Sequence, residues 1–185
     1  MNKQWLLVGG IIAVLVGGAA LLVKFSPERS GVAIGDKAPD YRVVDLQTGD
    51  SVSLRERAKG KISIVNIWAT WCGPCKEEMP AMQRTYVELE KKGFQILAVS
   101  IDEADAKSVK EFTSELGITF PILQDRSGKI QQLYQTTGVP ESFLLDRDGT
   151  IIKRVIGAHD WSSAANRKLI ERYLGEGKAS LSSAN

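Results

Sequence analysis

Trp68-Ala69-Thr70-Trp71-Cys72-Gly73-Pro74-Cys75 holds both cysteines of the 185-residue chain, in the pattern C-x-x-C. Before it, residues 62–68 (ISIVNIW) are β-branched and nearly continuously apolar, the pattern of a strand buried on both faces. After it, residues 76–92 are rich in helix formers and stop at Gly93, which fits a helix C-cap. The pair therefore belongs to a strand-to-helix turn. Cys72 takes an N-cap-like place there, where unpaired backbone N–H groups and the positive end of the helix dipole favour a thiolate. That position makes Cys72 the nucleophile of a thiol exchange. Cys75, one helical turn on, can attack a mixed disulfide on Cys72 and is the resolving thiol.

Two other uses of the pair are weaker. A structural disulfide would close a loop of a few residues, and the stabilisation from a crosslink grows with loop length. A zinc site needs three or four protein ligands, whereas the chain has no second C-x-x-C and one histidine, His159, read as a surface loop residue. No metal site is expected. Composition is that of an ordinary globular protein: 43% hydrophobic, 25% charged and a net charge of +2, which carries no nucleic-acid signature.

Residues 5–23 (WLLVGGIIAVLVGGAALLV) contain no charge and are flanked by Lys3 and Lys24, enough to cross a bilayer as one helix. A cleaved signal peptide is the competing reading, but the run exceeds the usual apolar region and residues 22–25 (LVKF) lack a small-x-small cleavage site. The expectation is a transmembrane signal-anchor over residues 1–25 and a linker over 26–34. One folded domain over 35–174 and a disordered tail over 175–185 complete it. Charge alone leaves the orientation of the anchor undecided.

Within the domain, residues 40–46 and 51–54 read as a small hairpin. Residues 94–101 (FQILAVSI) read as a second buried strand, and 104–116 as a helix with Val109, Phe112 and Leu116 on one face. A short strand over 119–123 and a helix over 127–135 follow. Residues 139–146 and 150–156 form a hairpin across the turn at Arg147, Asp148 and Gly149. A last helix is expected over 160–174, with Trp161, Ala164, Ala165, Leu169, Ile170 and Tyr173 as apolar contacts. A helical crossover beside a tight hairpin requires a mixed parallel and antiparallel sheet.

Trp71-Cys72-Gly73-Pro74-Cys75 after a buried strand, with Gly138-Val139-Pro140 entering a later hairpin, resembles the thioredoxin fold. Residues 35–40 (GDKAPD), 66–71 (NIWATW) and 75–80 (CKEEMP) narrow the resemblance to the membrane-anchored TlpA/ResA/DsbE group, AhpC/TSA–redoxin-like members of the thioredoxin superfamily. It covers most of residues 34–174. It implies an α/β thioredoxin-like fold: a mixed central sheet flanked by helices, an N-terminal β-hairpin and a central strand-helix insertion between Cys75 and Pro140. It also implies extracytoplasmic thiol-disulfide exchange, usually reduction, with no cofactor beyond the dithiol. The implied partners are a disulfide-bearing protein, for several members apocytochrome c at its C-x-x-C-H haem-attachment site, and a membrane thiol-electron donor of the DsbD/CcdA type. The domain then faces the periplasm, or the outer side of a cell with one membrane.

By the same resemblance Glu78 is an active-site acid and Pro140 a cis-proline facing the thiols, with the Val139 backbone pairing to an extended substrate. Gly73 and Pro74 complete the dithiol turn, and Trp71 shields or presents the thiol. Where thioredoxin keeps a buried aspartate before the motif, this chain has Asn66, which cannot carry a proton. Taken alone, Glu78 reads as a solvated helix charge, Pro140 as a strand-start proline and Trp68 as core. Pro80 should bend its helix, because its missing N–H breaks a ladder bond. A peroxidase is disfavoured: the Thr and Pro expected ahead of a peroxidatic cysteine are Ala69 and Val65. A general disulfide reductase or isomerase is the second reading. A copper-delivering module is the third, and it would be expected to use C-x-x-x-C with a histidine.

Overall fold

The computed structural model describes residues 32–182. The expected anchor and residues 26–31 of the linker lie outside them. Among the described residues no helix is long and apolar enough to cross a membrane.

The nearly continuous apolar run Ile62–Trp68 is β3, buried at every position, and Phe94–Ser100 is β4, equally buried. They pair in parallel, Ile62 with Phe94 through Trp68 with Ser100, joined by α2 (Gly73–Leu89) as crossover. A single 3₁₀ turn at Glu90–Lys92 and Gly93, at φ 99°, end that helix. Glu141–Leu145 (β6) runs antiparallel to β3, and Ile151–Ile156 (β7) antiparallel to β6, as the Asp-Gly turn requires. The hairpin β1 (Arg42–Asp45) and β2 (Ser51–Ser53) leads into the short helix α1 (Leu54–Ala58). Between β4 and β6 the chain makes α3 (Ala106–Glu115), β5 (Ile122–Gln124) and α4 (Lys129–Leu133). β5 adds in parallel to β4 and antiparallel to β1, giving one mixed sheet in the order β2-β1-β5-β4-β3-β6-β7. This is the expected thioredoxin-like architecture, with its hairpin and central insertion.

The two faces of the sheet bury different residues because side chains alternate along a strand. Ile62, Ile64 and Trp68 of β3 pack with Met79 and Met82 of α2, Val109 of α3 and Ile170 of the last helix. Val65 and Ile67 face the other way, toward Leu54 and Ala58 of α1 and Ile130 of α4. Trp68 is fully buried and stacks on Phe112, so it is core as expected.

The last helix, α5, spans Ala164–Ser182. It begins later than residue 160 because the Asp160 carboxylate accepts from both the N–H and the hydroxyl of Ser162, which holds a turn there. Trp161 precedes the helix and is buried, whereas Ala164 and Ala165 are exposed and Asn166 takes the inward place. The backbone stays helical beyond Leu174, since glycine lowers helix propensity by only about 1 kcal/mol and no proline intervenes.

Candidate active site

The dithiol turn lies at the C-terminal end of β3. Cys72 is the N-cap of α2 in extended conformation, and its Sγ accepts the Cys75 N–H at 3.1 Å. Cys72 and Cys75 are joined as a disulfide, with Cys72 5% exposed and Cys75 wholly buried. Gly73 and Pro74 form the exposed first turn of the helix, where Pro74 needs no N–H partner. Ahead of the cysteines the loop is clamped: the buried Asp102 carboxylate accepts the Thr70 N–H at 2.9 Å, the Thr70 hydroxyl at 2.6 Å and the Ser100 hydroxyl at 2.6 Å. Trp71, next in the chain, is 69% exposed and stands at the edge of an open cleft lined by Thr70, Asp102, Arg126, Gln131 and Gln135.

Opposite Cys72, the Val139-Pro140 peptide bond is cis, and the Val139 carbonyl oxygen lies 3.5 Å from Cys72 Sγ. The loop is braced from behind by the wholly buried Glu141. Its carboxylate accepts from Arg154 Nε at 2.5 Å and from the Thr137 N–H at 3.1 Å. Arg154 also donates to the Gln135 carbonyl at 2.8 Å.

Glu78 is 4% exposed, on the same inward stripe of α2 as Cys75, Met79 and Met82. It is a buried carboxyl and not a solvated helix charge. Asn66 meets it because period-two alternation turns residue 66 to the α2 face with Ile64 and Trp68. Asn66 Nδ2 donates to Glu78 Oε1 at 2.8 Å and to Ser142 Oγ at 2.9 Å. The second Glu78 oxygen accepts the backbone N–H of His159 at 3.0 Å. Desolvation outweighs these two donors and pushes the Glu78 carboxyl up to about 7, so the group exchanges a proton near neutral pH. Asn66, read from sequence only as an absent acid, is thus an orienting donor. His159 is half-buried at the site and not merely a surface residue; its contribution is a backbone N–H, which no residue type announces. Among the described residues no cluster of three or more His, Cys, Asp or Glu is placed to hold a metal ion.

Residues 34–154 match the AhpC/TSA family. The thiol-disulfide oxidoreductase ResA of Bacillus thuringiensis (strain Al Hakam) is 38% identical over 177 residues, covering 94% of this chain and 97% of the relative. Among solved structures, the thioredoxin domain of a thiol-disulfide oxidoreductase from Bacteroides vulgatus superposes with a TM-score of 0.67 at 27% identity, over 78% of this chain and 99% of that one. StoA from Bacillus subtilis superposes with a TM-score of 0.57 at 26% identity, over 73% and 96%. Two cysteines bonded to each other at the head of a helix, on a fold and sequence shared with these enzymes, make the chain a member of the AhpC/TSA family and a thiol-disulfide oxidoreductase like ResA.

Proposed function

We propose that the protein reduces disulfides of other proteins on the outer side of the cell membrane, with Cys72 as nucleophile, Cys75 as resolving thiol and Glu78 as proton carrier. The observation that carries this reading is the Cys72 sulfur at the N-cap of α2, accepting the Cys75 N–H. In the reduced protein that place favours the Cys72 thiolate. The thiolate attacks one sulfur of the target disulfide, forming a Cys72–substrate bond and expelling the other substrate sulfur, which takes up a proton. Cys75 loses its proton to Glu78 and attacks Cys72 Sγ, which restores the Cys72–Cys75 disulfide and expels the second substrate sulfur as a thiolate; the proton held by Glu78 is then given up to that thiolate or to water. Two electrons pass from dithiol to substrate, so the cycle calls for no cofactor. An extended substrate segment pairs with the Val139 backbone beside Pro140, while Trp71 and its cleft receive the flanking chain. A membrane thiol donor of the DsbD/CcdA type returns the electrons.

The substrate we favour is apocytochrome c, oxidised at its C-x-x-C-H site. Cys75→Ser leaves the mixed disulfide unresolved, so the trapped partner can be isolated from cells and identified. Apocytochromes c joined through one cysteine of that site are expected, with a fall in covalently bound haem when the protein is lost. Capture of many unrelated exported proteins would replace this substrate with a general reductase or isomerase role, and absence of any Cys72-linked partner would contradict exchange itself.

A further inference from the structure

The segment leaving β7 enters the active site through its backbone. Gly157 N–H donates to the Pro140 carbonyl at 2.9 Å and His159 N–H to Glu78 Oε2 at 3.0 Å, so one short loop touches both the cis-proline and the carboxyl. A backbone donor is only as well placed as the loop that carries it. Here three side chains from different elements converge behind that loop. His159 Nε2 lies 2.8 Å from Asn166 Nδ2, on α5, and 3.2 Å from Lys153 Nζ, on β7. Asn166 is 4% exposed and its amide orientation is fixed by its other contacts: Oδ1 accepts from Lys153 Nζ at 2.7 Å and Nδ2 donates to the Asp160 carbonyl at 2.7 Å. Two donors therefore face Nε2, which accepts, and the ring proton sits on Nδ1. The imidazole also meets the buried Trp161 edge-on at 5.1 Å, and Lys153 Nζ lies 5.4 Å over the same indole.

We propose that Lys153, Asn166 and the His159 ring are positioning residues, a strut that presses the His159 N–H onto Glu78 and thereby sets the proton affinity of that carboxyl. None of the three needs to touch substrate. The groups that hydrogen-bond Glu78 are the uncharged donors of Asn66 and His159, and the titratable neighbour on its buried stripe is Cys75, bonded to Cys72 in this structure. Those near the ring are the Lys153 ammonium, itself pushed down by burial, the Asn166 amide, and the Asp160 carboxylate, which accepts from Ser162 and interacts electrostatically with His159. Loss of the strut removes a donor that favours the charged carboxylate and leaves desolvation less opposed, so the proton is held more tightly.

The inference rests on Glu78 as the proton carrier of the site, and two readouts separate the claims. The first is the pH titration of the Glu78 ¹³C-carboxyl resonance in the oxidised full chain, identified by its loss in Glu78→Gln. The second is the pH profile of Cys72 alkylation in the reduced full chain. In His159→Leu the carboxyl midpoint should rise from about 7 by on the order of one pH unit, and the alkylation profile should move with it. His159→Gln, whose Oε1 can take the place of Nε2 as acceptor, should return both to the parent values, and Asn166→Leu should behave like His159→Leu. An unmoved midpoint in a folded His159→Leu or Asn166→Leu chain overturns the strut; should His159→Leu fail to fold, Asn166→Leu and Lys153→Met decide by the same rule. A midpoint that moves while the alkylation profile stays fixed supports the strut and instead removes Glu78 from proton transfer.

Discussion

Glu78 holds a proton where an ordinary glutamate has lost it, and that has a consequence for stability. Its carboxyl is pushed up to about 7 in the folded chain, against an ordinary value of 4.5, because burial penalises the charge. Between those pH values the folded state binds more protons than the unfolded one, so stability must fall as pH rises through the window. Above it the cost is about 3 kcal/mol. Glu78→Gln keeps the shape and removes this titration. We predict that urea unfolding of the variant becomes nearly flat in that window and that it exceeds the parent in stability at pH 8, while the pH profile of Cys72 reactivity changes. In the sequence Glu78 taken alone reads as a solvated charge, although it lies three residues after Cys75 on the stripe continued by Met82; only the resemblance points to its role. Its partners were less legible still. Asn66 could be placed by strand parity alone, but His159 acts through a backbone N–H and a contact with Asn166, and neither leaves a pattern in residue type or spacing.

At the level of the element, α2 is capped by the sulfur that does the chemistry. Cys72 accepts the Cys75 N–H, which would otherwise be one of the unpaired donors of the first turn. Cys72→Ser and Cys72→Ala both abolish the disulfide, so their difference isolates the cap. We predict that Cys72→Ala is about 1 kcal/mol less stable than Cys72→Ser, measured by urea unfolding with Cys75 kept reduced. Equal stabilities would show that the side chain at this position does not support the helix. Elements with strong local signals were readable to the residue: β3 from its nearly continuous apolar, β-branched run, and the end of the α2 turn from Gly93. Boundaries set by side-chain hydrogen bonds were not. α3 begins at Ala106 because Asp105 accepts the Ser108 N–H, and α5 begins at Ala164 because Asp160 holds Ser162 in a turn.

Over the whole molecule, the strand order places the dithiol turn, the Val139-Pro140 loop and the loop after β7 together, because β3 lies beside β6 and β6 beside β7. The mixed character of the sheet followed from the two kinds of connection, a helical crossover and a tight hairpin. The pairing of β1 with β5 joins residues far apart in the chain and had no local signal to announce it. If residues 5–23 anchor the protein with the domain outside, an export-dependent reporter fused to the C-terminus will be active in cells; activity only of a cytosol-dependent reporter would contradict the compartment we propose. The central claim is that Cys72 leads the exchange and Cys75 resolves it. The most direct measurement is alkylation of the reduced full chain with less than one equivalent of iodoacetamide, followed by peptide mapping. The account predicts label on Cys72 with Cys75 spared, and labelling of Cys75 first would contradict it.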